Sequence, residues 1–413
     1  MRIGVLNNSI KLALGLAGLI VLGQRTEQGD ILIDVGYAME VCVCPHCGRA
    51  TNKVHDRRAQ RKRDVPLRGQ AVILILWRRR FRCLFCLGKR RRPRTFSEPD
   101  PACGLGPKGG GRRTTQRLRQ HIAQELPHRT VKRVAKVYSV GQRFVHDCFA
   151  EHARREIRQL LPQGFTPRVL GLDEFSMKRG VRYETVLSDL DARRALEVVE
   201  GRDGKSVQPY LEGLSDPDGA AVVVMDMREA YRQVVWLCLP KVVVVVDRFH
   251  AVRRIGKVLD RVRLRLQRHR GQERRGEVYW LRYALLRDPA DWTEKERQGI
   301  EKLFVELPEL KKAWEHKEAF RKWYEAPDRA AAEAPLSVWE QMVREEGSPE
   351  YEALFAQGSM LGSWRDEILN YFDHRYTNGY VEGKNNRSKQ LQRQAYGYSN
   401  RENLRMRILL PAA

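Results

Sequence analysis

A chain of 413 residues is too long for one ordinary domain, and a hydrophobic content of 42% excludes a disordered protein. Its 76 Lys and Arg against 51 Asp and Glu give a formal charge of +25, which favours a polyanionic partner: DNA, RNA or an anionic membrane. Eight cysteines are few for this length, and four fall in two pairs with metal-ligand rather than disulfide spacing, which fits a reducing, cytoplasmic compartment.

The chain opens with an apolar segment, Lys11 to Gly23, behind one Arg and one Lys. It is short for a membrane span and no small-x-small cleavage site follows, so it reads as a buried helix or strand and no membrane partner is expected. Residues 1–40 form a lead-in. From 28 to 43 apolar residues alternate in a strand-like way (Ile31, Ile33, Val35, then Met39, Val41, Val43). They run into Cys44-Pro-His-Cys47; a second strand-like run, Ala71 to Trp77, leads through Arg78, Arg79 and Arg80 to Cys83-Leu-Phe-Cys86. Two C-x-x-C knuckles supply four thiolates for a tetrahedral structural Zn²⁺, and two β arms, as in a zinc ribbon, span the long gap between them. Cys42, His46 and His55 remain alternative ligands. Between Val41 and Gln120 the chain carries 22 Lys or Arg against 4 Asp or Glu, so the zinc-binding module, residues 41–100, is expected to bear a phosphate-binding surface that includes the three arginines.

A Gly- and Pro-rich linker, Pro99 to Gly111, precedes a helical region at 112–158 that breaks at Pro127-His128. Within it, Thr130 to Phe149 has helix-turn-helix spacing, with Val131, Val134, Ala135 and Val137 as the inner face of the first helix. A generic helical hairpin has the same pattern; the basic neighbourhood favours DNA, with Lys132, Arg133 and Arg143 as its contacts.

From Arg168 the order is β-β-β-α-β-α-β-α: strands at 169–175, 183–190, 195–200, 221–226 and 241–247. Val-rich runs without alternation require a sheet covered on both faces. Three antiparallel strands followed by two strand–helix units predict an α/β, ribonuclease H-like domain with a mixed five-stranded sheet, spanning 165–410 and interrupted by a helical insertion at about 256–365. Asp173 lies at the end of the first of these strands and Asp226 at the end of the fourth; neighbouring parallel strands would bring their carboxylates to one sheet edge. Paired carboxylates repel unless a cation lies between them, which points to Mg²⁺ or Mn²⁺. A third acid should come from a helix, and Glu382 is the candidate, with Asn386 and Lys389 on its face near DNA phosphates. Asp247 is a rival for the second acid; with His250 it otherwise orients the site or contacts DNA. Glu174 should point to the opposite face as a structural residue. Two metals roughly 4 Å apart would activate a nucleophile and stabilise the leaving oxygen of a phosphodiester.

These residues together resemble the ISL-three family of insertion-sequence transposases. The resemblance rests on Cys44-Pro-His-Cys-Gly48 with Cys83 and Cys86, on Gly171-Leu-Asp-Glu-Phe-Ser176, and on Asp226 with Tyr231. It extends to Asp247-Arg-Phe-His250, Val381-Glu-Gly-Lys-Asn-Asn386 and Arg393-Gln-Ala-Tyr-Gly-Tyr398, while the opening from Ile10 to Leu22 matches no family motif. It implies an N-terminal zinc finger, a helix-turn-helix and a split DDE domain with Asp173, Asp226 and Glu382 as the triad. It also implies double-stranded DNA as partner, at the element's inverted repeats and at the target, cut and then joined in a homodimer or larger synaptic complex. Competing readings are a DNA-binding regulator without catalysis, and a resolvase or RNA-cleaving nuclease on the same fold.

Overall fold

The computed structural model describes residues 15–16, 18–87, 93–100, 102–103, 112–126, 129–178, 182–268, 276, 278–394 and 400–410. Residues 11–14 and 17 of the apolar opening, most of the 99–111 linker, and the break at 127–128 lie outside them; the rest of the opening runs into an edge strand on which Ile20, Val21 and Leu22 are exposed, not buried as expected. The chain forms two compact units, Met1–Arg155 with Ala412–Ala413, and Glu156–Pro411.

The first unit is built on a five-stranded sheet in which β1 (Leu19–Glu27), β2 (Asp30–Tyr37), β6 (Gln70–Leu87) and β5 (Val54–Leu67) lie in that order and β7 (Pro93–Ser97) pairs with β6. Two hairpins reverse through paired left-handed residues, Gln28-Gly29 (φ 52° and 84°) and Arg68-Gly69 (φ 49° and 81°). Such two-residue turns match the right-handed strand twist. Alternate residues Ile31, Ile33 and Val35 pack on Val72, Leu74 and Leu76. β2 and β6 are direct neighbours, so the lead-in and the zinc-binding module share one sheet instead of dividing at residue 40. The alternation expected to reach Val43 stops at Tyr37, and Met39, Val41 and Val43 are exposed.

The arginine triplet on β6 departs from expectation. Arg78 Nε donates to the Glu98 carbonyl (2.9 Å), Arg79 pairs with the Glu98 carboxylate (2.8 Å), and Arg80 pairs with Asp56 (2.9 Å). The three guanidiniums stitch β6 to its neighbours rather than facing a ligand, because pairing strands place their acids beside them. Deeper still, Lys62 holds Asp100 at 2.9 Å, and Asp64 accepts from Thr115 Oγ1 at 2.6 Å. Thr115 also caps helix α1 (Gln116–Glu125), so the buried pair ties that helix to β5. Helices α2 (Val131–Val137) and α3 (Gln142–Leu160) follow, separated by a turn with Ser139 at φ 47°. Val134, Ala135, Val145 and Phe149 are buried as an inner face should be, whereas Val137 is exposed and Val131 only half-buried. Lys132, Arg133 and Arg143 are exposed.

The second unit holds a sheet in the order β10 (Arg194–Glu200), β9 (Arg182–Asp189), β8 (Val169–Lys178), β11 (Val222–Met225), β12 (Val243–Val246). β10, β9 and β8 are antiparallel; β11 lies parallel to both β8 and β12. Val222 to Met225 are all buried, as covered parallel strands require. Helices α4 (Gly204–Glu212) and α5 (Glu229–Cys238) form a close pair; α6 (Arg248–Arg268) leaves β12 directly.

Helices α7 (Glu294–Glu306), α8 (Pro308–Trp323) and α9 (Arg329–Glu345) occupy the expected insertion, and the helical layer runs past its expected end through α10 (Arg365–His374). They share the sheet's own hydrophobic core through Phe320, Trp323, Tyr324, Trp339 and Phe372. Asn370 on α10 donates to the Val244 carbonyl (2.8 Å) and so covers the β12 edge. Helix α11 (Gly379–Gln394) returns to β8, and α12 (Arg401–Leu409) closes the far edge through Arg401 on Glu184 (2.9 Å). Among the described residues no helix is long and apolar enough to cross a membrane.

Gly204 sets how closely α4 and α5 pack. A Cβ there would lie 2.5 Å from the Ala230 carbonyl oxygen and 2.6 Å from Val234 Cγ2. Gly204→Ala is expected to destabilise the protein by about 1–3 kcal/mol, the usual cost of overpacking, read by chemical denaturation.

Candidate active site

Strands β8, β11 and β12 run parallel toward one side of the sheet, where β11 and β12 end; β8 runs on to Lys178 beside β9, so Asp173 lies within its strand and not at the end of it as expected. β8 and β11 pair only from Val169 to Gly171 against Val222 to Val224. Asp173 therefore lies just beyond the pairing, Asp226 just after β11, and Asp247 just after β12. This is where an open α/β sheet places its ligands. The first turn of α6 brings His250 between them: Nδ1 is 3.3 Å from Asp226 Oδ2, and Nε2 is 3.6 Å from Asp173 Oδ1 and 3.9 Å from Asp247 Oδ2. Asp173, Asp226 and Asp247 thus converge on one imidazole.

Backbone and amide donors fix each carboxylate. Asp173 accepts from the Glu174 N–H (2.8 Å) and from Asn385 Nδ2 (2.7 Å). Asp226 accepts from the Met227 N–H (2.7 Å), and Asp247 from the Asn378 N–H (3.2 Å). Asn378, 2% exposed, also donates from Nδ2 to the carbonyls of Leu172 (2.9 Å) and Val224 (3.4 Å). It clamps β8 to β11 where their own pairing stops. Gly171 makes room for it, since a Cβ there would lie 2.7 Å from Asn378 Oδ1.

Burial pushes the Asp173 and Asp247 carboxyls above their ordinary values despite the nearby imidazole. Burial also acts on Asp226, but the His250 hydrogen bond and charge more than offset it and hold that carboxyl low. Burial would depress His250; Asp226, Asp173 and Asp247 instead raise it. Protonation of His250 is thereby favoured, and the imidazolium so formed is a local counter-charge for three acids.

Glu382 occupies the first turn of α11, exposed, and its charge is felt at Asp247. Asn386 and Lys389 are exposed on the same helix. The buried contact to Asp173 comes instead from Asn385, a neighbour of Asn386 that helical spacing also admits, one turn after Glu382. Sequence reasoning missed Asn378 and Asn385. The only signal for either was its place in the Asn-Gly and Asn-Asn pairs flanking Glu382. Glu174 faces away and grips Arg228 through Nη2 (3.0 Å), a structural pair.

In the first unit, Cys44, Cys47, Cys83 and Cys86 bring their sulfurs within 4.8 Å of one another. The ribbon β3 (Cys42–Val43) and β4 (Ala50–Thr51) presents the first pair, and the end of β6 presents the second. The sulfurs titrate together: against its burial, the Phe85 and Cys86 N–H groups and the neighbouring sulfurs bring Cys83 down to about 7, while the Cys47 sulfur and burial push Cys86 up to about 12. The Cys83 thiol ionises readily, as a metal ligand must. Cys42 stands outside the cluster, and His55 Nδ1 lies 3.4 Å from Arg82 Nη2.

The family model of the ISL3-type DDE transposases, described simply as a transposase, matches residues 170–408, more than half the chain. A second model, the zinc finger of the IS204/IS1001/IS1096/IS1165 transposases, matches residues 40–86. The chain belongs to this transposase family, whose members are metal-dependent DNA-cutting and DNA-joining enzymes. It is 29% identical over 386 residues to the transposase for insertion sequence element IS1001 of Bordetella parapertussis, covering 89% of this chain and 88% of that one. It is 25% identical over 256 residues to the transposase for IS1557 of Mycobacterium tuberculosis, covering 56% and 57%.

The acidic site suits the divalent cation that the family implies. Its donors are carboxylate oxygens, the hard ligands that such an ion takes, and buried Asn385 Oδ1 beside Asp173 makes no hydrogen bond.

Two outcomes follow from the two metal sites. Ionised Asp173 is disfavoured by folding, so Asp173→Asn should raise the melting temperature of the metal-free protein. The upward shift that Mn²⁺ gives the parent should vanish in the same variant, read by differential scanning calorimetry. Cys83→Ser should lower the zinc content from one per chain toward zero by atomic absorption, with loss of stability in the first unit alone.

Proposed function

We propose that the second unit is a ribonuclease H-like DDE domain that frees a 3′-hydroxyl at each end of its insertion sequence and joins it to target DNA. The observation that carries this reading is the convergence of Asp173, Asp226 and Asp247 where β8 parts from β11 and where β11 and β12 end, with Asp173 bound by Asn385 of the Glu382 helix. The strand order, three antiparallel strands and then two parallel to the first, supports the fold assignment. We assign Asp173, Asp226 and Glu382 as the ligands of the catalytic ion, with Mg²⁺ as the expected occupant and Asp247 as a supporting acid.

When bound, the ion supplies Lewis-acid activation of the attacking oxygen and charge stabilisation at the leaving oxygen. The chain's own residues prepare that chemistry. Asn385 and the Glu174 N–H hold the Asp173 carboxylate from both oxygens. Asn378 keeps the β8 and β11 ends apart at a fixed distance, so that the two acids are presented without rearrangement. His250 carries the counter-charge that lets three acids share one desolvated edge.

In the first unit, α2, the Ser139 turn and α3 are assigned as a helix-turn-helix that reads the terminal inverted repeats, with Lys132, Arg133 and Arg143 on DNA. Their exposure supports this, as does the basic composition of the surrounding sequence. Joining two element ends calls for a dimer or larger assembly.

Supercoiled plasmid bearing the element ends tests the reading. Asp173→Ala, Asp226→Ala and Glu382→Ala should each cut it at least a thousandfold more slowly in Mg²⁺ or Mn²⁺ while still binding the ends. Cutting at the parental rate by any of them removes that residue from the site, and failure to join pre-cut oligonucleotide ends in the parent would leave a nuclease. Asn378→Ala should slow cutting about 10- to 100-fold, as loss of a positioning residue behind a ligand does, with end binding unchanged in a gel-shift titration.

A further inference from the structure

Helix α6 does more than deliver His250. Arg254, Lys257 and Arg261 follow His250 at intervals of four, three and four residues, the spacing of one helical stripe. All three are exposed, and among the described residues none forms an ion pair. Farther along the helix Arg263 pairs with Asp260 at 2.7 Å and Arg265 with Glu350 at 2.7 Å, whereas Arg248 and Arg253, also exposed, form no ion pair among the described residues.

The stripe lines a cleft of about 110 Å³, closed on the other side by Gly358 and Ser359 and reaching Met227, the residue directly after Asp226. Glu350, the acid in its lining, is already bound to Arg265. Burial, together with the charges of Arg253, Arg254 and Arg261, holds the Lys257 ammonium below its ordinary value, and the Arg254 charge is felt at Asp226. Like charges gathered without counter-ions cost free energy in the unbound protein. A polyanion seated on them recovers that cost.

We propose that Arg254, Lys257 and Arg261 form a phosphate track that binds the DNA strand running out of the acidic site. The inference rests on the assignment of that site to DNA cutting and adds the path of the strand. The seven steps of helix from Arg254 to Arg261 rise about 10 Å. At about 3.4 Å of rise per nucleotide, the track spans roughly three consecutive phosphates on one side of the scissile bond. It also answers an electrostatic need, because a phosphodiester approaching three carboxylates is repelled until cations hold its flanks.

The test uses the full-length protein and duplex oligonucleotides carrying an element end. The triple variant Arg254→Gln, Lys257→Gln, Arg261→Gln should lose about 10- to 100-fold in kcat/KM for cleavage. The salt dependence of log(kcat/KM) should flatten by about two to three, close to one for each phosphate that the variant no longer neutralises. Neutral methylphosphonate linkages placed one at a time should slow the parent at about three consecutive positions and add nothing to the loss in the variant. Arg254→Lys with Arg261→Lys should keep the parental salt slope. Should the triple variant melt early, Lys257→Gln alone should remove about one from the slope.

An unchanged kcat/KM and slope, or methylphosphonate losses that simply add to the variant's, would overturn the track. Asp173→Ala serves as the independent control. If it still cuts, the catalytic assignment fails, while the salt slope of DNA binding still reports on the track.

Discussion

The second unit depends on an electrostatic conflict that is contained rather than avoided. Three carboxylates from three neighbouring strands are desolvated at one side of the sheet, and their charges oppose one another. A single imidazole, held in place by the first turn of α6, offsets part of that cost. The remainder persists as raised Asp173 and Asp247 carboxyls, an arrangement that no stability argument would select. It makes sense where a divalent cation and a phosphodiester are to be brought together.

Much of the structure serves to keep that conflict in register. Parallel pairing between β8 and β11 lasts only three residues, so the strands would splay without help. Asn378 replaces the missing ladder with two side-chain donors, and the glycine opposite makes the space. Asn378 follows directly on the helical layer, whose aromatic side chains are embedded in the sheet's core. The long helical excursion between β12 and α11 is thus packed against the catalytic sheet, and the segment that closes it carries both Asn378 and the Glu382 helix.

The first unit meets a different constraint, a small core. Its sheet buries a short double row of aliphatic residues, with a second cluster around Phe81 and the cysteines. The four sulfurs and the buried ion pairs of Lys62 and Asp64 supply the cross-links that such a core lacks. Arg78, Arg79 and Arg80 serve the same end: a basic strand laid against acidic neighbours turns its charge inward. Charge density in a sequence therefore locates a basic module without saying which of its cations remain available.

Periodicity and spacing determined a good deal. The Val-rich runs fixed five strands and their order. The paired C-x-x-C knuckles fixed the cysteine cluster, and the acids toward the ends of the runs 169–175, 221–226 and 241–247 marked the edge where they gather. These are local signals, readable because strand burial and ligand geometry impose short, regular patterns. Only the tertiary structure decided how the pieces answer one another. It set Asn385 on Asp173, a contact between residues far apart in the chain that spacing did not mark. It set His250 among three acids from three strands and engaged the β6 arginines with Glu98 and Asp56. It left the α6 cations unmatched while pairing Arg263 and Arg265. Each of these depends on which groups lie across a packed interface, and contacts between residues far apart in the chain leave no period in its sequence.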